Sequence, residues 1–213
     1  MRLYLSSFRN GNQPEELLRL LKGKTRTALI SNAIDLDDEE TRSRKVAEET
    51  ERLSSIGLEI TEVDLRFYFD DHSNLKSLLE SFDLIWVRGG NCFVLRRACK
   101  MSGADTILKE MIQTDSVVYG GYSAGIDLLI PNLRGAELVD DPDTVPDGYD
   151  KEIVWECLNV LSYSVAPHYK SDHPESSDID KSVEYMIDHH VPFIALRDGE
   201  AIVFDEAGQR IVG

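Results

Sequence analysis

The chain has 213 residues, of which 42% are hydrophobic and 29% are charged, so it can bury a sizeable core and is expected to form a single domain over residues 1–213. Its formal net charge of −16 makes nucleic acids and anionic membranes poor partners. No stretch has the length and hydrophobicity of a signal peptide or a membrane span, which predicts a cytoplasmic protein. Three cysteines without CxxC spacing predict free thiols rather than disulfides or a zinc site.

Strand and helix patterns alternate through the first half of the chain. Short apolar runs predict strands at Arg2–Ser7, Thr27–Ala33, Leu58–Leu65, Asp83–Val87 and Ser116–Gly120. Helical spacing between these runs predicts helices at Pro14–Leu21, Leu36–Gly57, Asp71–Phe82, Cys92–Met101 and Ala104–Thr114. Strands separated by helices are typical of a parallel sheet, so we expect a doubly wound α/β fold with helices on both faces.

The second half of the chain is less regular. A stretch rich in acids, proline and glycine predicts a long surface loop at Gly135–Asp150. Further strands are predicted at Leu158–Ala166 and Pro192–Leu196, and Glu200–Gly213 has the pattern of a hairpin.

The most informative motif is a serine between two glycines, in "VVYGGYSAGIDLLI". The G-x-S-x-G pattern centred on Ser123 follows a predicted strand and precedes a predicted helix. At such a junction the serine hydroxyl is lifted clear of the backbone, and the amide of the next residue, Ala124, can donate to an oxyanion. The helix after it would add positive potential. Close packing of a strand against a helix would also explain the small residues.

Two other stretches end predicted strands. "WVRGGNCFVL" carries Gly89-Gly90, whose amides could complete an oxyanion hole or simply form a turn. "SVAPHYKSDHPE" places His168 where a general base would be needed. His168 and His173 with Asp172 could instead form a metal cluster, but without a third well-spaced ligand we expect no metal.

In this order the three motifs resemble the peptidase E (aspartyl dipeptidase) and cyanophycinase family of serine peptidases. That family has a class I glutamine amidotransferase-like, flavodoxin-like fold, and the resemblance covers most of the chain. It implies that Ser123 is the nucleophile, that His168 is its base, and that the amides of Gly90 and Ala124 bind the oxyanion. It implies no cofactor. Amidotransferases carry cysteine at the nucleophile position, so a serine argues against glutamine hydrolysis.

The same resemblance places a histidine-orienting carboxylate near the end of the chain, in a segment of the form L-P-E-G. The matching stretch "ALRDGEAIV" supplies Asp198, which we expect to take this role, and Glu200 is its neighbouring alternative. A second group of candidate acids lies in the loop after the serine motif: Glu137, Asp140 and Asp141.

Substrate binding is expected to involve three residues beside the motifs: Arg88, Asn91 and Tyr122. Relatives that prefer an N-terminal aspartate carry an arginine in a G-E-T-R segment after the histidine, whereas His173–Asp180 contains none. We therefore expect a serine peptidase acting on short peptides, dipeptidase-like, through an acyl-enzyme on Ser123 and without aspartate preference. An esterase or other acyl hydrolase using this site, and a non-catalytic binding module of the same fold, are the alternatives. A homodimer is left open.

Overall fold

Nine strands form two sheets in the computed structural model, which describes all of residues 1–213. In chain order the strands are β1 (Arg2–Ser6), β2 (Arg26–Ile30), β3 (Glu59–Glu62), β4 (Leu84–Val87), β5 (Val118–Tyr122), β6 (Ser164–Ala166), β7 (Phe193–Ala195), β8 (Ala201–Asp205) and β9 (Gly208–Val212). The larger sheet has the order β3-β2-β4-β5-β1-β8-β9, and β6 pairs with β7 separately. In the larger sheet β1 to β5 are parallel, and the β8–β9 hairpin pairs with β1 through β8 in the antiparallel direction.

Helices cover both faces of the larger sheet, which confirms the doubly wound α/β fold. They are α1 (Pro14–Leu21), α2 (Glu39–Ser55), α3 (Leu75–Leu79), α4 (Cys92–Ser102), α5 (Ala104–Gln113), α6 (Ala124–Asp127) and α7 (Ser176–Asp188). Leu3 and Leu5 of β1 belong to the same hydrophobic cluster as α4 and α5, whereas Tyr4 belongs to the cluster of α1 and α2 on the other face. No helix combines the length and the apolar character that crossing a bilayer requires.

Several predicted elements are shorter than expected. β3 keeps four residues, at one edge of the sheet. Residues 158–163 form no strand, since the amides of Leu158 and Leu161 donate to the carbonyls of Leu128 and Leu129 instead. Helix α7 was not predicted, although its buried residues Ile179, Val183 and Met186 have helical spacing.

Candidate active site

Ser123 occupies the turn at which β5 ends and α6 begins. Its backbone has φ 50° and ψ −117°, a conformation that residues other than glycine rarely adopt. The flanking glycines are required by β4, because a Cβ on Gly121 or Gly125 would lie 2.6 Å or 2.4 Å from the carbonyl oxygen of Val87. The predicted helix after the serine is a single turn of four residues, so the positive potential expected from it is small.

The Gly89-Gly90 turn lies against the sharp turn at Ser123, here called the elbow, since a Cβ on Gly89 would be 3.0 Å from the Cβ of Ser123. Gly90 has φ +147°, and a Cβ there would lie 2.5 Å from the carbonyl oxygen of Ala33. The Ala33 carbonyl oxygen accepts a hydrogen bond from the backbone N–H of Asn91, with an N···O distance of 2.8 Å. The amides of Gly90 and Ala124 donate to no acceptor within the chain. Two free N–H groups therefore lie beside Ser123.

We expect Gly90→Ala to lower both stability and turnover. The added Cβ must displace the Ala33 carbonyl or the turn itself, which should cost about 1–3 kcal/mol of unfolding free energy. Because the displaced amide would no longer meet an oxyanion, turnover should fall roughly 10²–10³-fold. Urea unfolding and steady-state kinetics on a dipeptide measure both effects.

The matched control for this substitution is Gly148→Ala. Gly148 also has positive φ, at +82°, but no heavy atom lies within 4 Å of its Cβ position. This variant should lose some stability through backbone strain and keep its turnover. Wild-type turnover in Gly90→Ala would show that the Gly90 amide has no part in the reaction.

His168 lies two residues after β6, and Asp198 lies three residues after β7. Since these strands pair in parallel with Ala166 opposite Ala195, the two side chains emerge at the same edge. Nδ1 of His168 is 2.7 Å from Oδ1 of Asp198. Burial lowers the pKa of His168 below its usual value, and the Asp198 carboxylate opposes this shift. The ring is therefore neutral near pH 7, with Nε2 able to accept a proton.

Ser7, immediately after β1, links these two residues and was not predicted from the sequence. Its hydroxyl donates to Oδ1 of Asp198 at 2.8 Å and accepts the backbone N–H of His168 at 2.8 Å. The amide of Asp198 donates to the Ser171 hydroxyl at 2.7 Å. Ser7 thus holds the carboxylate of Asp198, and Ser171 holds its backbone. Ser7 shares its place at the end of the predicted strand with Ser6, so no local signal in the sequence identifies it.

The other candidate acids form no hydrogen bond with His168. Each accepts a backbone N–H elsewhere: Glu200 that of Arg197 (2.7 Å), Glu137 that of Gly135 (2.5 Å), Asp140 that of Cys92 (2.7 Å) and Asp141 that of Asp143 (2.9 Å). Of the predicted carboxylates, Asp198 alone contacts the histidine.

The three predicted substrate-binding residues differ in what their side chains contact. Asn91 caps α4, with Oδ1 accepting the amide of Val94 at 2.9 Å. The hydroxyl of Tyr122 donates to the buried carboxylate of Glu49 at 3.1 Å, which leaves only its ring at the site. Arg88 donates from Nη1 to the Gly89 carbonyl at 2.6 Å and lines the groove beside Ser123.

Two concave spaces meet at Ser123. One, the histidine-side groove of about 260 Å³, is lined by Ser123, Gly90, His168, His173, Lys45 and Arg88 among others. The other, the inner cavity of about 40 Å³, is lined by Ser123, Asp127, Arg134, Asp140, Glu175 and Ile179 among others. The His173–Asp180 segment thus borders the inner cavity. It contributes a carboxylate, that of Glu175, whereas aspartate-preferring relatives are expected to carry an arginine in this segment.

A second histidine, His173, packs against His168. The rings of His168 and His173 are stacked with centroids 3.7 Å apart. Potential ligand atoms of His168, His173 and Glu175 lie within 4.8 Å of one another, so Glu175, rather than Asp172, completes the cluster considered from the sequence. Nδ1 of His168 is paired with Asp198, so a metal ion at this cluster would have to bind Nε2 of that ring.

Comparison with known proteins gives a consistent result. The model of "Peptidase family S51" matches residues 6–212. An uncharacterised peptidase of Listeria innocua is 30% identical over 119 residues (56% of this chain, 54% of the relative), and peptidase E of Escherichia coli is 27% identical over 125 residues (58% and 47%). These matches span about half the length of the curated relatives.

Two solved structures share the fold. A Listeria monocytogenes protein with the provisional name peptidase E superposes with a TM-score of 0.77 at 24% identity, covering 99% of this chain and 97% of that one. A peptidase from an acI-B1 actinobacterium gives a TM-score of 0.66 at 17% identity, covering 100% and 87%. At these identities the superpositions establish the architecture alone.

Proposed function

Because the chain belongs to peptidase family S51, a family of serine peptidases, we propose that it hydrolyses short peptides with Ser123 as the nucleophile. One observation carries the proposal. Ser123 is held in a strained elbow at the wall of a groove that also contains His168, whose Nδ1 is paired with Asp198. A nucleophile, a base and a group that orients the base are the parts that acyl transfer by serine requires.

The proposed reaction proceeds through an acyl-enzyme. Oγ of Ser123 attacks the peptide carbonyl while Nε2 of His168 takes its proton. The Asp198 carboxylate holds the Nδ1–H of the ring and stabilises the imidazolium. The imidazolium then protonates the leaving amine, and water activated by the same histidine hydrolyses the ester on Ser123.

The oxyanion of each tetrahedral intermediate would be bound by the two free amides. Those of Gly90 and Ala124 make no other hydrogen bond, so they need no rearrangement when charge develops on the carbonyl oxygen. Uncommitted donors beside a strained serine support an enzyme over a binding module that merely retains the fold, since strain of this kind is costly without a use.

We expect the enzyme not to prefer an N-terminal aspartate. The inner cavity carries three carboxyl groups, those of Asp127, Asp140 and Glu175, and a fourth would be repelled. The kcat/KM for Asp-Leu should fall below that for the uncharged, equally sized Asn-Leu by about tenfold or more, which corresponds to at least about 1.4 kcal/mol.

A dipeptide series at fixed ionic strength checks this expectation and the proposed function together. Asn-Leu, Ala-Leu and Lys-Leu should be hydrolysed, whereas activity on esters alone would indicate the acyl-hydrolase alternative. A preference for Asp-Leu that disappears in Arg134→Ala or in Arg88→Ala would contradict the expectation and locate the cation responsible.

A further inference from the structure

The nucleophile and its base come from different sheets. Ser123 follows β5 of the larger sheet, whereas His168 and Asp198 follow β6 and β7, which pair only with each other. No backbone hydrogen bond joins β6 to a strand of the larger sheet. Another contact must therefore hold the base at the distance from Ser123 that proton transfer requires.

Ser7 lies where such a contact is needed. In the parallel pairing of β1 with β5, Ser6 lies opposite Tyr122. The next residues, Ser7 and Ser123, therefore leave neighbouring strands at the same level. Because adjacent strands of a sheet are about 4.8 Å apart, the backbone of Ser7 lies beside that of the nucleophile.

The backbone of Ser7 is fixed by the larger sheet. Its N–H donates to the carbonyl of Glu200 at 2.9 Å, and the preceding residue, Ser6, pairs with Ala201 of β8. Ser7 is also completely buried. Its hydroxyl is therefore a fixed point relative to Ser123.

This hydroxyl holds both members of the base–acid pair. It accepts the N–H of His168 at 2.8 Å and donates to Oδ1 of Asp198 at 2.8 Å. Oδ1 is also the oxygen that lies 2.7 Å from Nδ1 of His168. The three residues thus form a closed ring of contacts, in which the serine oxygen locates the histidine backbone and the carboxylate together.

The backbone of His168 depends on this hydrogen bond. Its φ of 57° lies in the left-handed region, which residues other than glycine adopt at a cost. His168 is buried, and the Ser7 oxygen is the acceptor of its N–H. Without the hydroxyl this N–H would be left unpaired in the interior, so the turn that presents the ring to Ser123 should relax.

We propose that Ser7 is a positioning residue of the reaction, which sets the distance between His168 and Ser123 by holding the β6–β7 pair against the larger sheet. Ser7 lines neither the histidine-side groove nor the inner cavity, so it acts through His168 and Asp198 and not on the substrate. The inference rests on the proposed function and adds a fourth residue to the three that carry out the reaction.

The test is Ser7→Ala with Ala-Leu as the substrate. The variant loses a hydrogen bond to a charged carboxylate, so kcat should fall about 10- to 100-fold. KM should stay within about twofold, because the spaces that hold the peptide are unchanged and His168 acts in both formation and hydrolysis of the acyl-enzyme. Fluorophosphonate labelling of Ser123 should slow by a similar factor to kcat, since it uses the same base.

A double-mutant cycle separates positioning from a general loss of stability. In Asp198→Asn the base is already impaired, so adding Ser7→Ala should lower kcat by no more than about threefold further, as for residues that act as a unit. A loss of the same factor in both backgrounds would show that Ser7 supports only the fold, and would overturn the inference.

Ser6→Ala is the matched control. Ser6 is as buried as Ser7, and its hydroxyl donates to the carbonyl of Arg9 and contacts neither His168 nor Asp198. This variant should lose stability in urea unfolding and keep its kcat.

If Ser7→Ala does not fold, Ser7→Cys takes its place, because a thiol is a weak donor and a weak acceptor at the same position. Its kcat should fall by about fivefold or more. Folded Ser7→Ala or Ser7→Cys with the wild-type kcat would overturn the inference and leave the peptidase in place. Wild-type protein that neither hydrolyses Ala-Leu nor is labelled at Ser123 would overturn both.

Discussion

Replacing Ser123 with alanine is expected to lower the turnover of Ala-Leu by about 10⁴- to 10⁶-fold, as when one member of a nucleophile–base unit is removed. The substitution deletes the only atom that can form the acyl-enzyme in the proposed reaction. Alanine faces the same backbone strain at φ 50°, so the unfolding free energy should change little. Stopped assays of product amine, with urea unfolding of the same preparation, measure both quantities.

Ser81→Ala is the matched control, because its hydroxyl binds only the carbonyl of Leu78 on an exposed surface. It should keep wild-type turnover. A well-folded Ser123→Ala protein that turns over Ala-Leu at a comparable rate would remove the basis of the proposed mechanism, whatever the family of the chain.

The second large effect is expected for Asp198→Asn, which should lower turnover about 10⁴-fold at neutral pH, by analogy with the same change in a known triad. An amide at this position no longer selects the tautomer with the proton on Nδ1, and it does not stabilise the imidazolium. The contact at stake is the 2.7 Å pair between His168 and Asp198. Glu137→Gln and Asp141→Asn remove carboxylates that contact only nearby residues of their own loop and should cost far less.

The pH profile gives an independent readout of the same contact. The Asp198 carboxylate raises the pKa of His168, against burial, which lowers it. Without that charge the ring loses its proton at lower pH, so the acidic limb of kcat/KM should move downward in Asp198→Asn. An unmoved limb, or a larger loss in Glu137→Gln than in Asp198→Asn, would assign the orienting acid to the loop after α6.

The sequence predicted those parts of the site that short-range geometry imposes. Gly121 and Gly125 flank Ser123 because the β4 backbone leaves no room for a Cβ, and Gly90 carries its φ because Ala33 lies against it. His168 could be placed because it lies two residues after a strand. The glycine contacts join segments that are distant in the chain, but each of them requires a glycine, and a glycine is visible in the sequence.

Hydrogen bonds between polar groups of distant segments left no comparable pattern. Ser7 meets His168 across 161 residues, and nothing local distinguishes it from Ser6. Asp127 is the one charged residue of the run "GIDLLI", and a lone carboxylate in such a run is unusual. Its place in the wall of the inner cavity depends on α7, a helix that was not predicted.

Element boundaries failed for a different reason, because capping side chains override helical spacing. Asp38 accepts the amide of Thr41 at 2.9 Å and starts α2 three residues later than predicted. Asp71 accepts the amide of Ser73 at 2.9 Å, and the turn this forms delays α3 to Leu75. An aspartate whose side chain can accept the amide two or three residues further along the chain is a signal that could have corrected both ranges.

The claim that Ser123 is an activated nucleophile is tested most directly by covalent labelling. A fluorophosphonate reacts with a serine whose hydroxyl is deprotonated by a neighbouring base, and mass spectrometry of the digested protein locates the adduct. The account predicts a single adduct on Ser123, formed more slowly in Asp198→Asn and absent in Ser123→Ala. An adduct on another residue, or none on folded protein that cleaves Ala-Leu, would contradict it.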